Sequence, residues 1–181
     1  QKADAVMTSG ETALGKYPIE TIQMMKKIIS EAEATIQYNY KEFSNPYFSH
    51  EDIQNKALIR SALEISNTLK IHNIVIFTKN GSLARIAAAY RPKPNIFAFT
   101  KNWNTFTKSA LYFGVKSRYG EYDYHIDGLD KALKTLIEKD DIEVDEDIII
   151  IGEIKRGNNY HPSLEIINVK SFFESSSLLH E

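Results

Sequence analysis

Residues 73–100, NIVIFTKNGSLARIAAAYRPKPNIFAFT, decide the fold. Asn73–Thr78 (NIVIFT) and Asn95–Thr100 (NIFAFT) are six-residue runs rich in β-branched and aromatic side chains, the composition of a strand. Between them a glycine turn opens Ser82–Tyr90, which reads as a helix. The alternation continues through a helix at Thr105–Leu111, a strand at Gly114–Tyr119 and a helix at Asp127–Glu138. Leu129, Ala132, Leu133, Leu136 and Ile137 give that last helix an apolar stripe suited to covering a sheet. Asp147–Gly152 (DIIIIG) has four consecutive isoleucines, as in a strand buried on both faces. A final strand, Ser163–Val169, follows Lys155–Pro162, whose Gly and Asn content suits a tight reversal. This grammar implies an α/β domain: a three-layer α/β/α sandwich on a mostly parallel five-stranded sheet whose last strand is antiparallel.

Upstream, a helix from about Glu51 to Leu69 carries Ile53, Ala57, Leu58, Ala62, Ile65 and Leu69 on one face and leads into the first strand. Tyr38–Ser49 loses this period and contains Asn45 and Pro46, so it reads as a linker. The expected division is therefore 1–45, 46–174 and a polar tail at 175–181. Before the linker, Ile19, Ile22, Met25, Ile28, Ile29, Ala32 and Ile36 recur at helical spacing after Pro18, a first-turn proline. Ahead of that helix stands DAVMTSGETALGKYP, Asp4–Pro18, a long run of small, turn-forming and charged residues that reads as the mouth of an enzyme active site. It begins at the first residues of the chain, so the expectation is a fragment whose preceding strand and catalytic machinery are missing.

Composition narrows the function. The 181 residues are 43% hydrophobic, enough for one core of ordinary size and a short appendage. Lys+Arg 22 against Asp+Glu 24 gives a net charge of −2 with no basic block, which argues against nucleic acid or an anionic membrane as partner. The absence of cysteine excludes disulfides and thiol catalysis, and a cytoplasmic setting is expected. No apolar run approaches the roughly 18–20 residues of a spanning helix. His50, His72, His125, His161 and His180 lack metal-ligand spacing, so no metal site is expected. The acidic run from Glu138 to Asp147 joins a helix to a strand and reads as a solvated turn.

Ligands of parallel sheets bind beyond the carboxyl ends of the strands, which points to the loops after Thr78, Thr100 and Gly152. In TKNGSLAR, Thr78–Arg85, a strand ends, turns at Gly81 and opens a helix, so Thr78, Asn80, Gly81 and Ser82 suit a phosphate, with charge from Lys79 or Arg85. Capping alone explains the same residue types. The second candidate, GEIKRGNNYHPS (Gly152–Ser163), brings Lys155 and Arg156 beside Gly157, and its simpler reading is a solvated hairpin loop. Trp103, expected in a loop at a strand's carboxyl end, is a candidate contact residue.

The residues also carry a resemblance. DAVMTSGETALGKYPIETIQMM closely resembles the last strand-loop-helix of the pyruvate kinase catalytic barrel. YRPKPNIFAFT, Tyr90–Thr100, is similar to that family's YRPKAPIIAVT segment, and TKNGSLAR stands where the family has its effector-binding phosphate loop. The resemblance implies the C-terminal, effector-binding and oligomerisation domain of a pyruvate kinase, preceded by a helical remnant of a (β/α)8 barrel. The family transfers a phosphoryl group from phosphoenolpyruvate to ADP with Mg²⁺ or Mn²⁺ and usually K⁺. Its catalytic lysine, metal ligands and nucleotide contacts belong to the barrel upstream of Asp4. Only Ser9 and Glu11 match positions at the edge of that active site, so the implication is an inactive fragment with no cofactor of its own. By matched position Thr78, Asn80, Gly81 and Ser82 hold an effector phosphate, from a sugar phosphate or AMP, and Lys155 stands where an arginine is common. Leu83 replaces a usual Ser or Thr, and Ile154 a tryptophan common in members activated by fructose 1,6-bisphosphate, which suggests an altered site. Self-association as in the family's homotetramer is the other implied role. A free-standing small-molecule sensor and a purely structural assembly module are the competing readings, and convergence of the loops at Thr78 and Lys155 separates sensing from assembly.

Overall fold

The computed structural model describes residues 3–35, 50–122, 126–156 and 159–177. The chain divides into two compact units, Gln1–Asn39 and Tyr40–Glu181. The first consists of α1 (Gly10–Ala13) and α2 (Pro18–Ala34), with Pro18 in the opening turn and Glu20 near the positive helix end. Neither helix buries a residue. Ile19, Ile22, Met24 and Ile28 are all more than half exposed, so the apolar stripe of α2 finds no core within its own unit.

The second unit is the sandwich. Its elements are α3 (His50–Leu69), β1 (Asn73–Phe77), α4 (Ser82–Ala89), β2 (Asn95–Thr100), α5 (Trp103–Ser109), β3 (Val115–Tyr119), α6 (Ile126–Glu138), β4 (Asp147–Arg156), β5 (Asn159–Asn168) and α7 (Val169–Ser177). The strands form one sheet in the order β3-β2-β1-β4-β5. All neighbours pair in parallel except β4 with β5. Successive side chains of a strand point to opposite faces, so each central strand feeds two cores. Ile74, Ile76, Ile96, Ala98, Ile149 and Ile151 face Ile59 and Leu63 of α3 and Leu83, Ile86 and Ala87 of α4. Val75, Phe77, Phe97, Phe99, Ile148 and Ile150 face Leu129, Leu133 and Leu136 of α6, with Val169, Phe172 and Phe173 of α7. Ile148–Ile151 of β4 are completely buried, two in each core.

Polar side chains fix the ends of the sheet. Asn95 Nδ2 donates to Asn73 Oδ1 (2.9 Å) and Asn73 Nδ2 to Glu146 Oε1 (2.8 Å), lacing the amino ends of β2 and β1 to the turn before β4. At the β3 edge, Arg118 Nη2 and Lys116 Nζ reach Asp141 at 2.5 and 3.3 Å.

Three expectations change. The segment Lys155–Pro162, read as a loop, is mostly strand: β4 runs to Arg156, β5 starts at Asn159, and only residues 157–158, outside the described residues, lie between them. Pro162 pairs with Glu153 inside this hairpin, a position open to proline because β5 is an edge strand. The chain after β5 is helical to Ser177, past the start of the expected tail at Ser175. Phe172 and Phe173 pack on the second core, and Asn168 Oδ1 accepts from the Ser171 N–H (3.2 Å) in the first turn. Helix α5 starts at Trp103 instead of Thr105, because Asn102 Oδ1 caps it by accepting from the Thr105 N–H (3.0 Å). The expected division near residue 45 lies outside the described residues.

Truncating Ile150, fully buried in the central strand β4, removes most of a side chain from a packed core. Ile150→Ala should lower the unfolding free energy by about 2–5 kcal/mol, read as a lower urea midpoint at unchanged slope.

Candidate functional site

Strand β1 sits between β2, reached through α4, and β4, reached through α6. Because α4 packs in one core and α6 in the other, the connections leave to opposite faces here. The carboxyl ends of β1 and β4 therefore flank the switch point where ligands of open α/β sheets bind.

The loop after β1 stands at that point. The Thr78 N–H donates to the Phe99 carbonyl (3.0 Å), holding the loop's first residue against β2. Gly81 adopts φ +79°, a left-handed conformation that costs glycine nothing, and turns the chain into α4 as its N-cap residue. The first helical bond runs from the Arg85 N–H to the Gly81 carbonyl (2.9 Å). Inside the turn, Thr78 Oγ1 accepts from the Gly81 N–H (2.9 Å), and Asn80 Oδ1 accepts from the Ser82 N–H (3.0 Å). The side chains of Thr78 and Asn80 thus occupy donors that an anion would use. Thr78 is buried, Ser82 half-buried, and Lys79, Asn80 and Arg85 are exposed. Leu83 is 5% exposed and belongs to the core with α3, so its side chain does not line the loop.

Strand β4 is the neighbour of β1 on the side away from β2. Ile76 pairs with Ile151 in parallel, the last pair between the two strands, and that register continued would bring Thr78 level with Glu153. Lys155 is two residues further along the strand, roughly 7 Å at strand rise. Lys155 thus extends from a strand adjoining β1. The side chains of Ile154 and Lys155 lie outside the described residues.

Ser9 and Glu11 belong to the other unit, at the start of α1, and both are exposed. Ser9 is the N-cap residue of α1; its carbonyl accepts from the Ala13 N–H (2.9 Å) and its side chain makes no capping bond. Thr12 Oγ1 bonds Thr8 Oγ1 (2.9 Å) across the same turn.

One residue of the loop's surroundings has no counterpart in the sequence reading. Thr105 of α5, 7% exposed, donates from Oγ1 to the Lys79 carbonyl (2.9 Å). Its Cγ2 would lie 3.2 Å from a Cβ on Gly81. Twenty-six positions separate Thr105 from Lys79, and no local pattern marks such a contact. Trp103 opens the same helix, 57% exposed, with its ring edge-on to Tyr119 (5.1 Å) and tilted against Phe106 (5.2 Å).

Among the described residues no group of three His, Cys, Asp or Glu is placed to hold a metal ion, and no helix is long and apolar enough to cross a membrane.

Residues 56–167 match the family model described as "Pyruvate kinase, alpha/beta domain". The chain is 36% identical over 143 residues to pyruvate kinase isozyme G, chloroplastic, of Nicotiana tabacum, covering 76% of this chain and 24% of that protein. It is 34% identical over 155 residues to a pyruvate kinase of Staphylococcus saprophyticus, covering 85% of this chain and 26% of that one. Among solved structures it superposes on Cryptosporidium parvum pyruvate kinase in complex with ADP with a TM-score of 0.73 at 24% identity, over 91% of this chain and 33% of that one, a likeness of fold. The chain thus spans about a quarter of the length of these two sequence relatives.

The loop geometry yields a test of its own. Gly81→Ala combines a left-handed backbone with a tight approach to Thr105, and should cost about 1–2 kcal/mol of stability, visible as a lower urea midpoint.

Proposed function

The chain belongs to the pyruvate kinase family through its α/β domain, and from that premise we propose that it is the C-terminal regulatory and oligomerisation domain of such an enzyme. The parent would convert phosphoenolpyruvate and ADP to pyruvate and ATP, with Mg²⁺ or Mn²⁺ and K⁺ held by parts of the protein outside these 181 residues. Loss of the transferred phosphoryl group spreads negative charge that lysine and metal must neutralise, and Ser9 and Glu11 supply neither. The 181 residues alone are therefore inactive. Residues 1–45 are read as the last loop and helix of the catalytic barrel. The exposed apolar face of α2 supports this, since such a face is made to pack on strands.

The role assigned to the α/β domain is recognition of a sugar-phosphate or AMP effector at Thr78, Asn80, Gly81, Ser82 and Lys155. The position of the Thr78–Ser82 turn at the sheet's switch point, directly after the strand that pairs with β4, supports this reading. A phosphate there would replace Asn80 Oδ1 on the Ser82 N–H and gain the positive end of α4, with the Lys155 charge supplied from β4. The burial of Leu83 supports the site, because this departure from the family pattern fills the core and takes no ligand from the loop. One observation favours a second reading, a purely structural assembly module: two of the loop's N–H groups already have side-chain acceptors, so the turn is satisfied without a ligand. Self-association is part of both readings, and a cytoplasmic setting is retained from the cysteine-free composition.

Calorimetric titration with fructose 1,6-bisphosphate, ribose 5-phosphate, AMP and inorganic phosphate separates the two. Saturable heat with at least one, lost in a folded Gly81→Asp variant, is the expected result; silence across the panel would leave assembly as the role. In a coupled assay the 181 residues should form no pyruvate from phosphoenolpyruvate and ADP, and measurable turnover would refute the assignment of catalysis to other parts of the protein.

A further inference from the structure

The loop after β1 is not held by its own turn alone. Helix α5, which follows the neighbouring strand, reaches across to it through one buried side chain. Thr105 Oγ1 donates to the Lys79 carbonyl at 2.9 Å, in the middle of the loop, and Thr105 Cγ2 abuts the position of a Gly81 Cβ at 3.2 Å. The same residue anchors its own helix, its N–H bound to Asn102 Oδ1 (3.0 Å) and its carbonyl accepting from Ser109 Oγ (2.7 Å). Ser109 Oγ in turn meets Ser117 Oγ of β3 at 2.7 Å. These hydrogen bonds connect the Lys79 carbonyl to a helix that is bonded to β3.

That helix bears an aromatic cluster. Trp103 and Phe106 flank Thr105 in sequence and pack with Tyr119 of β3 at ring-centroid distances of 5.1–5.9 Å. Trp103 is the chain's one tryptophan and is 57% exposed, so its emission is sensitive to small changes in packing and solvation.

We propose that Thr105 is a positioning residue for the Thr78–Ser82 loop, and that it couples the loop's occupancy by a phosphate to the Trp103–Phe106–Tyr119 surface at the β3 edge. The inference rests on the effector reading above and adds the direction in which binding is transmitted. Seating an anion requires the Asn80 amide to leave the Ser82 N–H, which reorganises the segment whose carbonyl Thr105 holds. Coupling of this kind needs contiguous contacts that change together, and hydrogen bonds from Lys79 through Thr105 and Ser109 to Ser117 provide them.

The test titrates the full 181-residue chain with inorganic phosphate, against chloride at equal ionic strength, by calorimetry and Trp103 emission in parallel. The expected result is saturable heat and an emission change with one shared Kd. Thr105→Val, which keeps the methyl and loses the hydroxyl, should bind phosphate about three- to tenfold more weakly and lose the emission change, as one hydrogen bond is worth. Thr105→Ser, which keeps the hydroxyl, should restore the emission response. Heat without any change at Trp103, or a Thr105→Val variant identical to the parent, would overturn the coupling while leaving the effector site standing. No heat in the unaltered chain would remove the effector reading and the coupling with it. Should Thr105→Val not fold, amide exchange of residues 103–109 in the unaltered chain decides: slower exchange with phosphate is expected, and no difference would overturn the proposal.

Discussion

Burial of the central strands on both faces is the constraint from which the rest of the structure follows. A parallel strand with helices above and below cannot present a polar face, so β1, β2 and β4 must be apolar at successive positions. Ile148–Ile151 meet this without exception, and their alternate side chains serve the α3–α4 core and the α6–α7 core in turn. A slip of one residue would exchange the two sets but leave isoleucine at every position, so the pattern alone does not set the pairing of β4 against β1, and the Asn73–Glu146 hydrogen bond at the amino ends ties the two strands in register. With that pairing β4 runs on past the carboxyl end of β1, from Gly152 to Arg156, where it pairs with β5.

The candidate site is thus a consequence of strand order. Chain connections leave β1 and enter β4 on opposite faces, the strand order at which ligands of open α/β sheets bind. At this point the sequence places a short turn whose geometry depends on glycine at Gly81 and on two side-chain oxygens, Thr78 Oγ1 and Asn80 Oδ1. The turn is preorganised, with acceptors already seated where a ligand's oxygens would go. Whether it serves an effector or only closes the strand-to-helix connection depends on how readily Asn80 yields to an anion.

Legibility of this architecture in the sequence follows burial. NIVIFT, NIFAFT and DIIIIG are unmistakable because their side chains have only one kind of surroundings, and the Asp127–Glu138 stripe is clear because α6 covers a sheet with one face. The hairpin of β4 and β5 was harder to read: Glu153, His161 and Pro162 are exposed, and Gly157, Asn158, Asn159 and Pro162 carry turn chemistry whether or not strand pairing continues. Helix α7 was hidden by its serines, since only Val169, Phe172 and Phe173 mark the face it buries. Of the candidate site, the Thr78 turn was legible from local chemistry alone. Thr105 was not, because its part depends on a contact between two successive strand-to-helix connections. Leu83 was misleading in the same way, a residue at a loop position whose side chain turns inward.

The central claim is that the turn after β1 and the outer half of β4 form one phosphate site. Backbone amide shifts of the isotopically labelled chain, followed during titration with ribose 5-phosphate, test it most directly. The account predicts that the amides of Gly81 and Ser82 move together with those of Lys155 and Arg156, along curves that fit a single Kd. Shifts confined to one of the two segments, or none in either, would contradict it.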